Sequence, residues 1–154
     1  MSNITQKIKN PTGMTGAFIP SGYNNVFFSK PRSMARFGLL MLNQGNWNGN
    51  QIINNSYFNN STTTSQNLNL AYGYMWWLNG KESYRLPQTQ FQFSGSLIPS
   101  APADMVSGLG KNDQKIYVIP SKKMVVIRLG EVADEENFAL SDFDNQLWQK
   151  INAV

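Results

Sequence analysis

A chain of 154 residues with 41% apolar and 14% charged residues has the size and composition of one soluble globular domain, or of a piece of a larger one. No apolar run approaches the roughly 20 residues that span a bilayer, so no membrane span is expected. The net charge of +4 comes from scattered basic residues with no stripe interleaved with aromatics, which argues against a nucleic-acid partner.

The chain has neither cysteine nor histidine. That excludes disulfides, iron–sulfur clusters, thiolate chemistry and any Ser-His-Asp triad within it, and removes the commonest general base and metal ligand. No metal or cofactor is expected. Met1 to Lys9 holds no apolar stretch of a secretory signal, which leaves the compartment open.

Residues 10 to 31 are rich in Gly, Pro, Ser and Asn and read as irregular backbone, yet they carry Met14, Phe18, Ile19, Val26, Phe27 and Phe28. A loop so apolar is expected to pack against the rest of the chain or a neighbour. After Pro31, Met34, Phe37, Leu40 and Met41 recur at helical spacing until Gly45, which predicts a helix beginning at Ser33. Trp47-Asn48-Gly49-Asn50 predicts a turn, Asn54 to Asn59 a short helix, and Ser61 to Asn69 a loop. Ala71 to Leu78 is aromatic and reads as a strand ending at Asn79-Gly80. If it is one, Trp76 and Trp77 point to opposite faces, and a core role is expected of them.

Residues 81 to 102, punctuated by Pro87, Pro99 and Pro102, read as irregular. Three β signals follow: a weak one over Ala103 to Leu109, and strong ones over Gln114 to Ile119 and Met124 to Leu129, with Pro120-Ser121-Lys122-Lys123 turning the chain between them. Asp134-Glu135-Glu136 reads as a solvated acidic loop. From Ser141, Asp142 and Asp144 occupy a first helical turn, and Phe143, Leu147, Trp148 and Ile151 share one face, so an amphipathic capped helix is expected. A sheet followed by a helix able to cover it indicates an α+β fold.

Several of these segments, taken in order, carry a resemblance. Arg32-Ser33-Met34-Ala35-Arg36-Phe37-Gly38 with Gly45-Asn46-Trp47-Asn48-Gly49 resembles the R-x-M-A-R-F-G helix and G-x-W-x-G turn of the β-lactamase-related serine hydrolases. That group includes class C β-lactamases, penicillin-binding esterases and 6-aminohexanoate-dimer hydrolases. Tyr72-Gly73-Tyr74 with Trp76-Trp77 resembles its Y-G-x-x-W-W strand. Gly108 to Gln114, followed by Ile116 to Pro120, resembles its G-x-G-x-x-x-Q-x-I-x-V-x-P hairpin. The resemblance covers nearly the whole chain and implies a β-lactamase/transpeptidase-like fold, a partial antiparallel sheet with the C-terminal helix packed on it. Residues 1–154 would then be a single domain that forms the C-terminal part of a larger one.

The mechanism so implied uses an S-x-x-K serine and lysine, a tyrosine base and a third, pocket-lining strand that helps form an oxyanion hole. No serine here is followed by lysine at the third position: Ser29 leads to Arg32, Ser33 to Arg36 and Ser121 to Met124. Lys122 and Lys123 fall on a turn, where solvated ammonium groups are poor bases. No catalytic residue is assigned. Gly108, Leu109, Gly110 and Lys111 match the third strand as substrate-binding, oxyanion-side residues, though Leu109 and Lys111 depart from K-T-G; the alternative is a glycine-containing strand end with a solvated lysine. Tyr23-Asn24-Asn25 matches Y-x-N as a string but lies too near the R-F-G helix, so Asn24 and Asn25 are read as cleft-lining or as a local turn. Ser107 stands without a partner base, and Arg36 and Arg128 are expected to anchor structure through carboxylate pairs.

The reading is therefore a fragment of a hydrolase acting on a small ester, amide or lactam substrate, inactive alone. Alternatives are a noncatalytic peptide- or glycan-binding domain on the same fold, and a homo-oligomer in which a neighbour replaces missing strands. Relatives in this group are often periplasmic or secreted, an expectation that rests on the resemblance only.

Overall fold

A computed structural model describes residues 3–133 and 140–154; the acidic run Asp134-Glu135-Glu136 lies outside them. The fold is α+β, built on a four-stranded antiparallel sheet in the order β10-β9-β8-β5. Its strands are β5 (Trp77–Leu78), β8 (Val106–Gly110), β9 (Gln114–Ile119) and β10 (Met124–Arg128). The other strands form three two-stranded pairs: β1 (Ala17–Ser21) with β2 (Asn24–Phe28), β3 (Asn46–Trp47) with β4 (Asn50–Gln51), and β6 (Ser83–Tyr84) with β7 (Phe93–Ser94). A π-helical turn, Thr5–Lys9, runs into α1 (Asn10–Thr12), and α2 spans Pro31–Leu42, α3 Asn55–Ser61 and α4 Asp142–Asn152.

The central strand β9 shows why the sheet is covered on both faces. Its residues alternate between two layers, as strand geometry requires. Ile116 and Val118 pack with Met41, Trp76 and Leu78 in the cluster under α2. Tyr117 and Ile119 pack with Trp148 of α4, Trp77, Ile98 and Met105 in the other. Trp76 and Trp77 are thus divided between the two cores and both are buried, as their alternation predicts.

Helix α2 starts on Pro31 without a side-chain cap. The hydroxyl of Ser33, buried in its first turn, accepts from the backbone N–H of Thr15 at 3.0 Å, and Ser29 donates to the Thr15 carbonyl at 2.6 Å. These bonds tie the base of the β1–β2 hairpin to the helix. A glycine at position 38 lets α2 approach the sheet: a Cβ there would stand 2.4 Å from Cγ1 of Val125, well inside van der Waals contact. The glycine of the R-F-G motif is therefore explained by close helix–strand packing.

The structure corrects several expectations. Residues 17–28, read as irregular, form a hairpin closed by Gly22 and Tyr23, with Gly22 left-handed at φ 59°. The Ala71–Leu78 strand is cut to two residues, because the chain doubles back at Gly73–Trp76 (N–H to carbonyl, 2.8 Å) with Met75 at φ 66°. Gly73 and Tyr74 meet the backbone of Ser61, the end of α3, which bends the segment out of the sheet. The stretch 81–102 holds the short β6–β7 pair, on which Tyr84 and Phe93 stack at 5.1 Å. Among the described residues Arg36 and Arg128 pair with no carboxylate: Arg36 donates to the carbonyls of Thr12 and Gly13, both at 3.0 Å, and Arg128 to those of Asn112 and Asp113, both at 3.2 Å, and to that of Glu131. Each guanidinium closes a turn of backbone whose carbonyls no strand or helix takes up.

Candidate functional site

The sequence places its candidate oxyanion-side residues on β8, and the sheet decides what that strand can offer. β9 pairs with β8 along its whole length, from Val106↔Val118 to Gly110↔Gln114. β5 covers the opposite edge only at Leu78↔Val106 and Trp77↔Ser107. Along Gly108, Leu109 and Gly110, the edge away from β9 has no strand partner among the described residues. Unpaired strand backbone presents alternate N–H and C=O groups outward. A Cβ at Gly108 would meet nothing nearer than Ile116 at 3.9 Å, so the approach there is uncrowded.

The four residues do not share one environment. Leu109 packs on the α4-side core. Lys111 is exposed and opens a 3-10 turn, Lys111–Asp113, in which Asn112 and Asp113 both take left-handed backbone (φ 56° and 55°). Of the four only Lys111 is exposed; Gly108, Leu109 and Gly110 are half-buried. Asn24 and Asn25 lie elsewhere, exposed on β2 opposite Ser21 and Pro20. They share no sheet with β8, and Tyr23 projects fully into solvent at the hairpin tip.

Ser107 is 1% exposed, and its hydroxyl has no hydrogen-bond partner among the described residues. A hydroxyl sealed within the core is unreachable by substrate. Lys122 and Lys123 are exposed in the β9–β10 turn. Among the described residues no group of three His, Cys, Asp or Glu side chains could hold a metal ion, and no helix is long and apolar enough to cross a membrane.

The strongest polar cluster is one that sequence reasoning missed. Lys115, wholly buried on β9, lies 3.1 Å from Asp113 Oδ1 and 3.0 Å from Asp144 Oδ2. The Tyr117 hydroxyl donates to Asp144 Oδ1 at 2.5 Å, the Ser141 hydroxyl to Asp113 Oδ1 at 3.0 Å, and the Ala133 N–H to Asp113 Oδ2 at 2.9 Å. Asp144 also accepts from the Ser141 N–H at 3.0 Å, in the capping box that opens α4, and the Ser141 hydroxyl that takes part in that box donates to Asp113. Burial raises the Tyr117 hydroxyl far above its ordinary value, and the Asp144 carboxylate raises it further, so Tyr117 stays a donor. For Asp113, burial alone would raise the carboxyl; the Ala133 N–H, the Lys115 ammonium and the Ser141 hydroxyl outweigh it and hold it low. A lysine within the strand pattern Gln-Lys-Ile-Tyr-Val-Ile, on the face shared by Tyr117 and Ile119, was the available signal.

This network locks α4 to the sheet, and its acid response follows from the sign of the Asp113 shift. A depressed carboxylate contributes stability that is complete above its unfolded value, near the ordinary 3.8, and is lost as pH falls through the lower folded value. Asp113→Asn should therefore flatten the fall of stability on acidification through that window, measured by urea denaturation at stepped pH. An unchanged slope would show that Asp113 titrates alike in folded and unfolded chains.

No protein-family model matches the chain, and no curated protein does. The fold is similar to the solved structure of the "Putative 6-aminohexanoate-dimer hydrolase from Bacillus anthracis", with a TM-score of 0.63 over 99% of this chain at 20% identity. The chain spans 39% of that protein's length. At this identity the likeness is one of fold: an α+β arrangement matching part of a hydrolase-fold chain.

Proposed function

We propose that residues 1–154 form the C-terminal part of a larger serine hydrolase domain of the β-lactamase/transpeptidase type, which cleaves a small ester, amide or lactam through an acyl-serine. The observation that carries this reading is the match of nearly the whole chain to part of a hydrolase-fold structure. In it, Gly108, Gly110 and Lys111 border the pocket. Backbone N–H groups on the open β8 edge would stabilise the oxyanion that forms when a serine attacks the carbonyl. The exposed Lys111 ammonium would draw an anionic substrate group.

The serine and its lysine come from polypeptide outside this sequence, since no S-x-x-K occurs in it. Asn24 and Asn25 would reach the cleft only through that added segment. The alternative of a noncatalytic aromatic-lined binding cleft gains nothing from Trp76, Trp77 and Trp148, three of the four tryptophans, which are core residues.

The test is intact-protein mass after incubation with a fluorophosphonate and with a fluorescent penicillin. The folded chain alone should take up neither reagent. A stoichiometric adduct would show an activated serine within residues 1–154 and overturn the assignment of the nucleophile elsewhere.

A further inference from the structure

The sequence contains two Asn-Gly pairs, Asn48-Gly49 and Asn79-Gly80, and the fold treats them oppositely. An asparagine amide is chemically labile, above all before glycine, where no Cβ hinders the following backbone nitrogen as it approaches the side-chain carbon. Asn79 is 5% exposed, and its amide is held by backbone groups of Ile98, Ala101 and Pro102. Asn48 stands at the tip of the β3–β4 hairpin, exposed, and its side chain bonds no described residue. A Cβ at Gly49 would meet nothing within 4 Å, so the space around that residue is open.

One contact restrains the exposed pair. The Gly49 N–H donates to Oδ1 of Asn46 at 3.0 Å, and Asn48 and Gly49 both hold left-handed backbone, at φ 49° and 83°. Attack on the Asn48 side chain needs the Gly49 nitrogen deprotonated and released from the turn, so it waits for that bond to break. The hairpin has two residue pairs, Asn46↔Gln51 and Trp47↔Asn50, and a ribbon so short opens at small cost.

We propose that Asn48 is a site of spontaneous deamidation, with the Asn46 side chain as its brake and Asn79 protected by burial. The Gly49 nitrogen loses its proton to hydroxide and forms a bond to Cγ of Asn48. The Cγ–Nδ2 bond breaks, the departing nitrogen takes a proton from water and leaves as ammonia, and a five-membered imide remains. Water then opens the ring. Cleavage at Cγ leaves aspartate; cleavage at the backbone carbonyl leaves isoaspartate, whose main chain is one carbon longer. Either product puts a carboxylate into the stretch from Phe37 to Gly80, which holds no charged residue. The longer chain also disturbs the register of β3–β4, close to the end of α2, where Gln51 donates to the carbonyls of Gln44 at 2.8 Å and Ile53 at 2.6 Å.

The experiment incubates the purified chain in mildly alkaline buffer, with and without denaturing urea, and follows both asparagines by mass spectrometry. The tryptic peptide from Phe37 to Lys81 carries both pairs, so its fragment ions read them together. In the folded chain Asn48 should convert at least about tenfold faster than Asn79, and urea should bring the two rates together. Asn46→Ala should speed conversion at Asn48 several-fold and leave Asn79 unchanged, while Asn46→Asp, which keeps an acceptor oxygen, should stay at the parent rate or below it. Equal rates at the two pairs in the folded chain, or faster conversion at Asn79, overturns the proposal. An Asn46→Ala rate equal to the parent's overturns the brake. Should Asn46→Ala unfold the chain, Asn79 accelerates with Asn48, and the comparison within the parent decides.

Discussion

Lys115→Met should cost about 3–5 kcal/mol of unfolding free energy, the range for stripping one partner from a buried ion pair. The ammonium stands between Asp113 and Asp144, and all three side chains are within 1% of complete burial. Methionine fills much the same volume but leaves two carboxylates facing each other in the core. They must then either repel or take up protons. For a chain of this size the melting temperature should drop by roughly 10 °C or more. The destabilisation should shrink when Asp113→Asn and Asp144→Asn are added to Lys115→Met, because the uncompensated charge is the source of the loss rather than missing volume. Urea denaturation of the two variants distinguishes these causes. A single variant within 1 kcal/mol of the parent would mean that the network contributes specificity of α4 docking and little stability.

Asn79→Ala is expected to cost about 2–4 kcal/mol, because one buried side chain satisfies a whole turn of backbone. Its amide nitrogen donates to the carbonyls of Ile98, Ala101 and Pro102 at 3.0, 3.1 and 3.0 Å, and its carbonyl oxygen accepts from the Ile98 N–H at 2.9 Å. Alanine would remove these bonds from the Ile98 N–H and the Ala101 carbonyl, while the Ile98 and Pro102 carbonyls keep the N–H groups of Ala101 and Met105, in a region where Leu97, Ile98 and Met105 are almost fully buried. Asn79→Asp should be worse than alanine, since a carboxylate would face three carbonyl oxygens. Denaturation gives the magnitude, and hydrogen exchange should show protection lost first across residues 97–102. Equal loss of protection throughout the chain would argue that Asn79 acts globally and does not pin this loop.

Asn79 shows where sequence reading reaches its limit. In the sequence it is one half of an Asn-Gly turn signal, and the turn is there, with Gly80 left-handed. That its side chain points inward to organise a loop some 19–23 residues further on depends on where the sheet puts that loop. Lys115 is similar. Its type suggests solvent, and only the register of β9 beneath α4 makes it a core residue.

The periodic segments were legible from residue order alone. Helices α2 and α4, the β9–β10 hairpin and the division of Trp76 from Trp77 follow from 3.6- and 2-residue patterns bounded by Pro, Gly and Ser. The absence of S-x-x-K and of histidine was equally a property of the sequence, and with it the absence of a nucleophile and base of the expected kind. Tertiary structure decided what pairing and burial decide. Gly, Pro and Asn composition hid a five-residue-per-strand hairpin at 17–28, because two strands that pair with each other need no apolar–polar alternation when neither packs on a core. Among the described residues Arg36 and Arg128 bond backbone carbonyls and no carboxylate, because the turns at Thr12–Gly13 and Asn112–Asp113 bring carbonyls within their reach. The sequence could mark Gly108 to Lys111 as a strand end, but whether its edge stood open rested on β5 being only two residues long, a length set by Gly73 meeting the end of α3.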